Sequence, residues 1–172
     1  RCRHDELVKS ENNTLSVQGN DKTLDDISDP VYICARQSEY SFELSSTLDF
    51  SPKNEGQEAG LSMLSDNMHH FDLFKTVRDG NPLIVLRKRI DDICTEETFD
   101  VTSDTVHLKI SGDETKYYFN FTDQEKTINA GWTFNKHLSS SCTSSANTGA
   151  MAGLFVVGDC QAAFINPLYH NE

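Results

Sequence analysis

Tyr40-Ser41-Phe42-Glu43-Leu44 alternates apolar and polar residues, and Thr47-Leu48-Asp49-Phe50 takes the alternation up again two residues later. A period of two sends successive side chains to opposite faces, the pattern of a strand with one buried side. The run Ser51-Pro52-Lys53-Asn54-Glu55-Gly56 behind it is turn chemistry. Working outward, Ala59 to Leu64, His70 to Lys75, Leu83 to Lys88, Val106 to Ile110 and Lys116 to Phe121 read as further strands. Arg78-Asp79-Gly80-Asn81 joins two of them as a hairpin. Toward the N-terminus, Thr14-Leu15-Ser16-Val17 alternates between the turn clusters Glu11-Asn12-Asn13 and Gly19-Asn20-Asp21. No stretch repeats apolar residues at 3.6, and turn residues recur every eight to twelve positions. That spacing predicts an all-β chain folded as a two-sheet antiparallel β-sandwich. Leu138 to Gly149, rich in Ser and Thr, is expected to be an exposed loop.

The 172 residues suit one domain, 1–172, with the polar segment 1–30 supplying its first strand or strands. Fifteen basic against 27 acidic side chains give a net charge of −12. An acidic chain lacks the basic face that nucleic acid or anionic membrane requires, so neither is an expected partner. There is no run of about 18 apolar residues to span a bilayer. The opening Arg1-Cys2-Arg3-His4-Asp5 has no apolar signal core, as expected of a mature product, a cytosolic protein or a cut-out fragment.

Cys2, Cys34, Cys94, Cys142 and Cys160 stand far apart, without zinc-ligand spacing. Cys142 and Cys160 flank one segment and could bridge, but sequence does not fix the connectivity. Asn12 and Asn120 begin N-x-[ST] sequons, the acceptor pattern for N-glycosylation. Twelve asparagines yield roughly two such sequons by chance, so they permit secretion without requiring it.

Catalytic patterns are missing. Neither a G-x-S-x-G elbow nor a phosphate-cradling glycine motif occurs. Among 27 acids some pair always looks suitable for glycoside hydrolysis, which needs two carboxylates at a set separation. The doublets Asp25-Asp26, Asp91-Asp92 and Glu96-Glu97 read as solvated charge in loops. His69-His70 are strand neighbours facing opposite ways, an exposed-plus-buried pair ill suited to chelating one metal. Trp132, the single tryptophan, either stacks on a sugar ring or packs in the sheet. Arg36 and Gln37 either orient a loop or contact a ligand.

Several of these pieces stand in a familiar order. Leu15-Ser16-Val17-Gln18-Gly19 comes first, then Arg36-Gln37, then Phe50-Ser51-Pro52-Lys53-Asn54 running on to Ala59-Gly60-Leu61. His69-His70-Phe71, Arg78-Asp79-Gly80 and Thr148-Gly149-Ala150-Met151-Ala152-Gly153-Leu154-Phe155 follow. From about Leu15 to Tyr169 the chain resembles the C-terminal concanavalin-like domain of family 43 glycoside hydrolases, the β-xylosidase group. The resemblance implies a concanavalin A-like jelly roll with no catalytic residue of its own. It implies a separate five-bladed catalytic propeller as partner, with neutral polysaccharide such as xylan or arabinoxylan as substrate, outside the cell.

In that family the loop matching Asn54–Gly60 reaches toward the substrate pocket. Glu55 stands where the family has Phe, so it could accept hydrogen bonds from sugar hydroxyls but supply no apolar wall. Glu55 and Gln57, with Arg36, Gln37, His69, His70 and Trp132, are the candidate carbohydrate-binding or propeller-facing residues. Ala162 to Tyr169 departs from the acidic end of the family, so the resemblance supplies no support for a structural Ca²⁺, and no cofactor is expected. Two other functions fit the same residues: a free-standing carbohydrate-binding module or lectin, and a protein-interaction sandwich without a glycan ligand.

Overall fold

The computed structural model describes residues 7–143 and 149–171. Thirteen strands follow in chain order: β1 (Val8–Glu11), β2 (Thr14–Gln18), β3 (Tyr32–Arg36), β4 (Phe42–Asp49), β5 (Glu58–Asp66), β6 (His69–Arg78), β7 (Asn81–Ile90), β8 (Ile93–Asp100), β9 (Thr105–Gly112), β10 (Lys116–Asp123), β11 (Lys126–Phe134), β12 (Met151–Val157) and β13 (Gln161–Asn171). A 3-10 turn, Asn135–Leu138, follows β11.

The strands form a seven-stranded sheet, ordered β1-β2-β13-β4-β9-β10-β11, and a six-stranded sheet, ordered β3-β12-β5-β6-β7-β8. Pairing within both is antiparallel, so this is a two-sheet antiparallel sandwich. The core lies between the sheets. Phe42, Leu44 and Leu48 of β4 meet Leu61, Met63, Phe71 and Leu73 from the facing sheet, all nearly inaccessible to solvent. The two alternating pieces of the opening stretch are thus one strand. Its polar inward residue Ser46 is satisfied by the Ile165 carbonyl at the β13 irregularity. Tyr40 lies before β4 and is exposed.

The six-stranded sheet is covered on its outer side as well. Residues 19–31 run between β2 and β3 and set Leu24 against Phe74, Val85, Phe155 and Val157, a second, smaller apolar cluster. β6 is therefore buried on both faces along nearly its whole length. A Cβ added at Gly60 would lie 2.5 Å from the Phe74 Cα, so glycine is what lets β5 and β6 pack at this point.

Four expectations are corrected. Glu96-Glu97 is not in a loop but within β8, where Arg87 faces Glu96 in register. His69 and His70 are both buried rather than one in and one out, because the outer face is itself covered. The stretch from Leu138 is not wholly exposed, since Leu138 is in the core and Thr143 is buried. Cys142 and Cys160 form no bridge: Cys34, Cys94, Cys142 and Cys160 are all free thiols. Thr143, next to Cys142, is bonded to Ser65 at the end of β5 that pairs with Met151, whereas Cys160 follows β12 beyond Val157 at the other end, roughly 20 Å away. Cys2 and Thr148 lie outside the described residues.

Candidate functional site

The loop after β4 is built around Gln57. Its Oε1 accepts from the backbone N–H of Lys53 (2.8 Å) and of Asn54 (3.2 Å), while its Nε2 donates to the Asp159 carbonyl. The Thr76 hydroxyl donates to the Gln57 carbonyl. One end of the amide is thus spent on the loop and the other ties it to the β12–β13 turn. Glu55 is exposed and folds back to accept from the Asp79 N–H at 3.0 Å, joining the loop to the β6–β7 hairpin tip.

His70 sits on the outer side of β6 with its ring between two carboxylates. Nδ1 lies 2.8 Å from Asp72 Oδ2 and Nε2 lies 3.0 Å from Asp25 Oδ1. Carboxylates only accept, so both ring nitrogens donate and the ring is the imidazolium. Burial alone would push its pKa down, but the Asp72 charge and the bonds to Asp25 and Asp72 win and hold it up at about 9. Asp72 is fully buried and also accepts from the Ser62 hydroxyl at 2.7 Å.

One register step across, Arg87 makes a bidentate pair with Glu58 (2.6 and 3.0 Å) and donates through Nε to Glu96 at 2.8 Å. Its guanidinium lies 4.4 Å from the Phe74 ring centroid. Desolvation raises the Glu58 pKa against the pull of Arg87. His69 faces the other way, with Nδ1 against Asp66 at 2.8 Å. These contacts knit the sheet and anchor residue 25. They present no free nucleophile or acid–base pair.

Gln37 donates to the Glu39 carbonyl and accepts from the Tyr117 hydroxyl at 2.7 Å. It lines a cleft of about 720 Å³ with Tyr40, Tyr117, Asn135, Lys136 and Leu138. Arg36 closes β3 and pairs in register with Met151. Trp132 is on β11, an edge strand of the seven-stranded sheet, and is 46% exposed, so it is no core residue. Asn12 is at the exposed β1–β2 turn with a positive φ of 49°, and Asn120 is half-buried on β10.

The strand registers divide the seven candidates between the two ends of the sandwich. Glu55 and Gln57 lie at the end where β5 begins and β6 finishes. Arg36, Gln37, His69, His70 and Trp132 lie toward the end where β5 finishes and β4 begins. Eight or nine strand residues separate these ends by roughly 25 Å. The candidates therefore do not form one site. Asp25, Glu58, Asp72, Arg87 and Glu96, which dominate the polar network, were missed by sequence reasoning. The available signal was the i, i+2 spacing of His70 and Asp72, which puts them on one face, whereas the adjacent pair His69-His70 drew attention.

The family model of the beta xylosidase C-terminal concanavalin A-like domain matches residues 3–164. The chain belongs to this family. A curated relative, the non-reducing end alpha-L-arabinofuranosidase BoGH43B of Bacteroides ovatus, is 30% identical over 135 residues. The match takes in 77% of this chain and 25% of that protein. Among solved structures, Bacteroides ovatus Xyloglucan PUL GH43B superposes with a TM-score of 0.91 at 23% identity, over 100% of this chain and 36% of that one. The xylan beta-1,4-xylosidase from Bacillus halodurans C-125 gives 0.82 at 17% identity, over 92% and 33%. The domain thus spans a quarter to about a third of these proteins.

The concanavalin A-like fold also accounts for 91% of a functionally unknown protein from Saccharomyces cerevisiae, with a TM-score of 0.70 at 8% identity.

Proposed function

We propose that this chain is the non-catalytic accessory domain of a family 43 glycosidase, packed beside a catalytic propeller and helping to shape substrate binding in xylan or arabinoxylan breakdown. One observation carries the reading: the family model covers residues 3–164, while the matches to individual glycosidases fill only a quarter to a third of their length. The loop pinned by Gln57 is the propeller-facing feature in this proposal, with Glu55 at its rim. Aryl α-L-arabinofuranosides and aryl β-xylosides assayed with the chain alone and with a catalytic propeller test it. Turnover only with the propeller is expected; robust turnover by the chain alone would refute the reading.

The proposal extends to an extracellular site of action, with Asn12 and Asn120 as glycan acceptors. A mass shift on enzymatic removal of N-glycans from the naturally produced protein tests it.

A second reading, a free-standing carbohydrate-binding module, is favoured by the exposure of Trp132. Affinity electrophoresis in gels containing xylan distinguishes the two, since a module is retarded without any propeller.

A further inference from the structure

Trp132 does not stand alone on the outer face of the seven-stranded sheet. Phe134, 40% exposed, meets it edge to face with ring centroids 5.1 Å apart. On the neighbouring strand the partners in register are Tyr118 beside Trp132 and Lys116 beside Phe134. The Lys116 ammonium lies 4.2 Å from the Trp132 ring centroid and 5.9 Å from that of Phe134, and the Lys136 ammonium lies 5.1 Å from Phe134. Exposed aromatic rings with two cations gathered on them are unusual in a chain of net charge −12.

The lysine ion pairs among the described residues belong to Lys22, Lys88 and Lys109. Lys116 and Lys136 face no carboxylate within ion-pair distance there, so only the ring faces hold their charge in place. The nearby acid Asp113 keeps its own charge but makes no ion pair with either ammonium. Its carboxylate accepts from the Tyr118 hydroxyl (2.6 Å), from the Thr115 N–H and hydroxyl, and from the Lys116 N–H. Those bonds hold it well below the usual carboxylate range.

Each ammonium lies over one ring, and the ring surface that stays exposed beyond it offers the CH face of a pyranose a place to stack. The two ammonium groups offer a carboxylate its counter-charge. We propose that Trp132, Phe134, Lys116 and Lys136 form a binding site for a uronic-acid-bearing oligosaccharide, the sugar ring on the aromatic pair and its carboxylate between the lysines. The site needs no catalytic partner, so it stands or falls separately from the accessory function.

Trp132 is the only tryptophan, so its fluorescence reports this position alone. The chain is titrated with a glucuronic-acid-substituted xylo-oligosaccharide, with the unsubstituted oligosaccharide, and with succinate as a carboxylate lacking a ring. Calorimetry is run in parallel. We expect the acidic sugar to bind at least ten-fold more tightly than the neutral one, to weaken with added salt, and to outbind succinate. Lys116→Gln/Lys136→Gln should bring acidic and neutral sugars to equal affinity, and Trp132→Ala should abolish calorimetric binding of both. Both variants must keep the wild-type circular dichroism and melting temperature; Trp132→Phe replaces Trp132→Ala if the latter does not. Equal binding of the two sugars by the unmodified chain, succinate binding as tightly as the sugar, or no binding at all overturns the proposal.

Discussion

His70 Nε2 donates to Asp25 Oδ1 at 3.0 Å, and through that one bond the segment covering the outer sheet is tied to the strand beneath it. The Asp25 carbonyl is held too, by the Asn67 side chain at 3.1 Å. Leu24, one residue earlier, closes the small apolar cluster. A buried charge and an apolar plug thus act on adjacent residues of one loop.

This tie sets a pH dependence. The folded pKa of His70, about 9, lies above the ordinary value of 6.5, so the folded chain holds the proton more tightly than the unfolded one. The stabilisation is complete below about pH 6.5 and is lost as pH rises through about 9. Urea unfolding between pH 6.5 and 9.5 is expected to show a fall on the order of 3 kcal/mol. His70→Gln should lower stability at pH 6.5 and flatten the curve. A wild-type curve as flat as that of the variant would show that the imidazolium is not held.

Gly60→Ala is expected to destabilise the domain by about 3 kcal/mol, because the new Cβ meets Phe74 backbone that has no flexible end to move aside. Thermal unfolding followed by circular dichroism measures it. A loss below about 0.5 kcal/mol, the ordinary surface range, would contradict the close approach of β5 and β6.

Gln57→Ala removes the acceptor for two loop N–H groups and should cost about 1–3 kcal/mol. Glu55→Ala loses a single exposed bond and should stay within about 0.5 kcal/mol. Unfolding midpoints of the two variants, compared side by side, test which residue holds the loop. Equal effects would remove Gln57 from that role.

The thiols should react with a disulfide reagent in a fixed order at pH 8. Cys94 and Cys142 are exposed and come first. Burial and the Asp159 charge push the Cys160 thiol up to about 11, which leaves little thiolate, so it comes last. Time-resolved mass spectrometry with peptide mapping reads the order. Early labelling of Cys160 would contradict its half-buried position.

How much of this was legible depends on how many faces of each strand are covered. β4 and β10 bury one face, so their alternation marks them directly. β8 is an edge strand, exposed along almost all its length, so nothing periodic distinguished Glu96-Glu97 from a loop. β12 buries both faces, and Met151–Val157 is a continuous apolar run that periodicity cannot assign. For the candidate residues, sequence supplied identities without partners. Gln57 was named as a contact residue, but the Asp159 carbonyl that holds it lies 102 positions away. Asp25 read as solvated charge because its partner, His70, is reached only once residues 19–31 cross the sheet. Trp132 was left between core and surface, and the choice is set by the register shift at Ala130, the extra residue opposite β10, which breaks the alternation so that Thr133 turns inward and Trp132 outward.

The division of the candidates between opposite ends has a consequence for crowding. Two bodies engaging one face of a small domain compete for the same space, whereas bodies seated roughly 25 Å apart do not. Occupancy at the Trp132 edge leaves the Gln57 loop unobstructed. A polymer held at the first is then confined near whatever adjoins the second, and its local concentration there is set by tether length rather than by bulk supply.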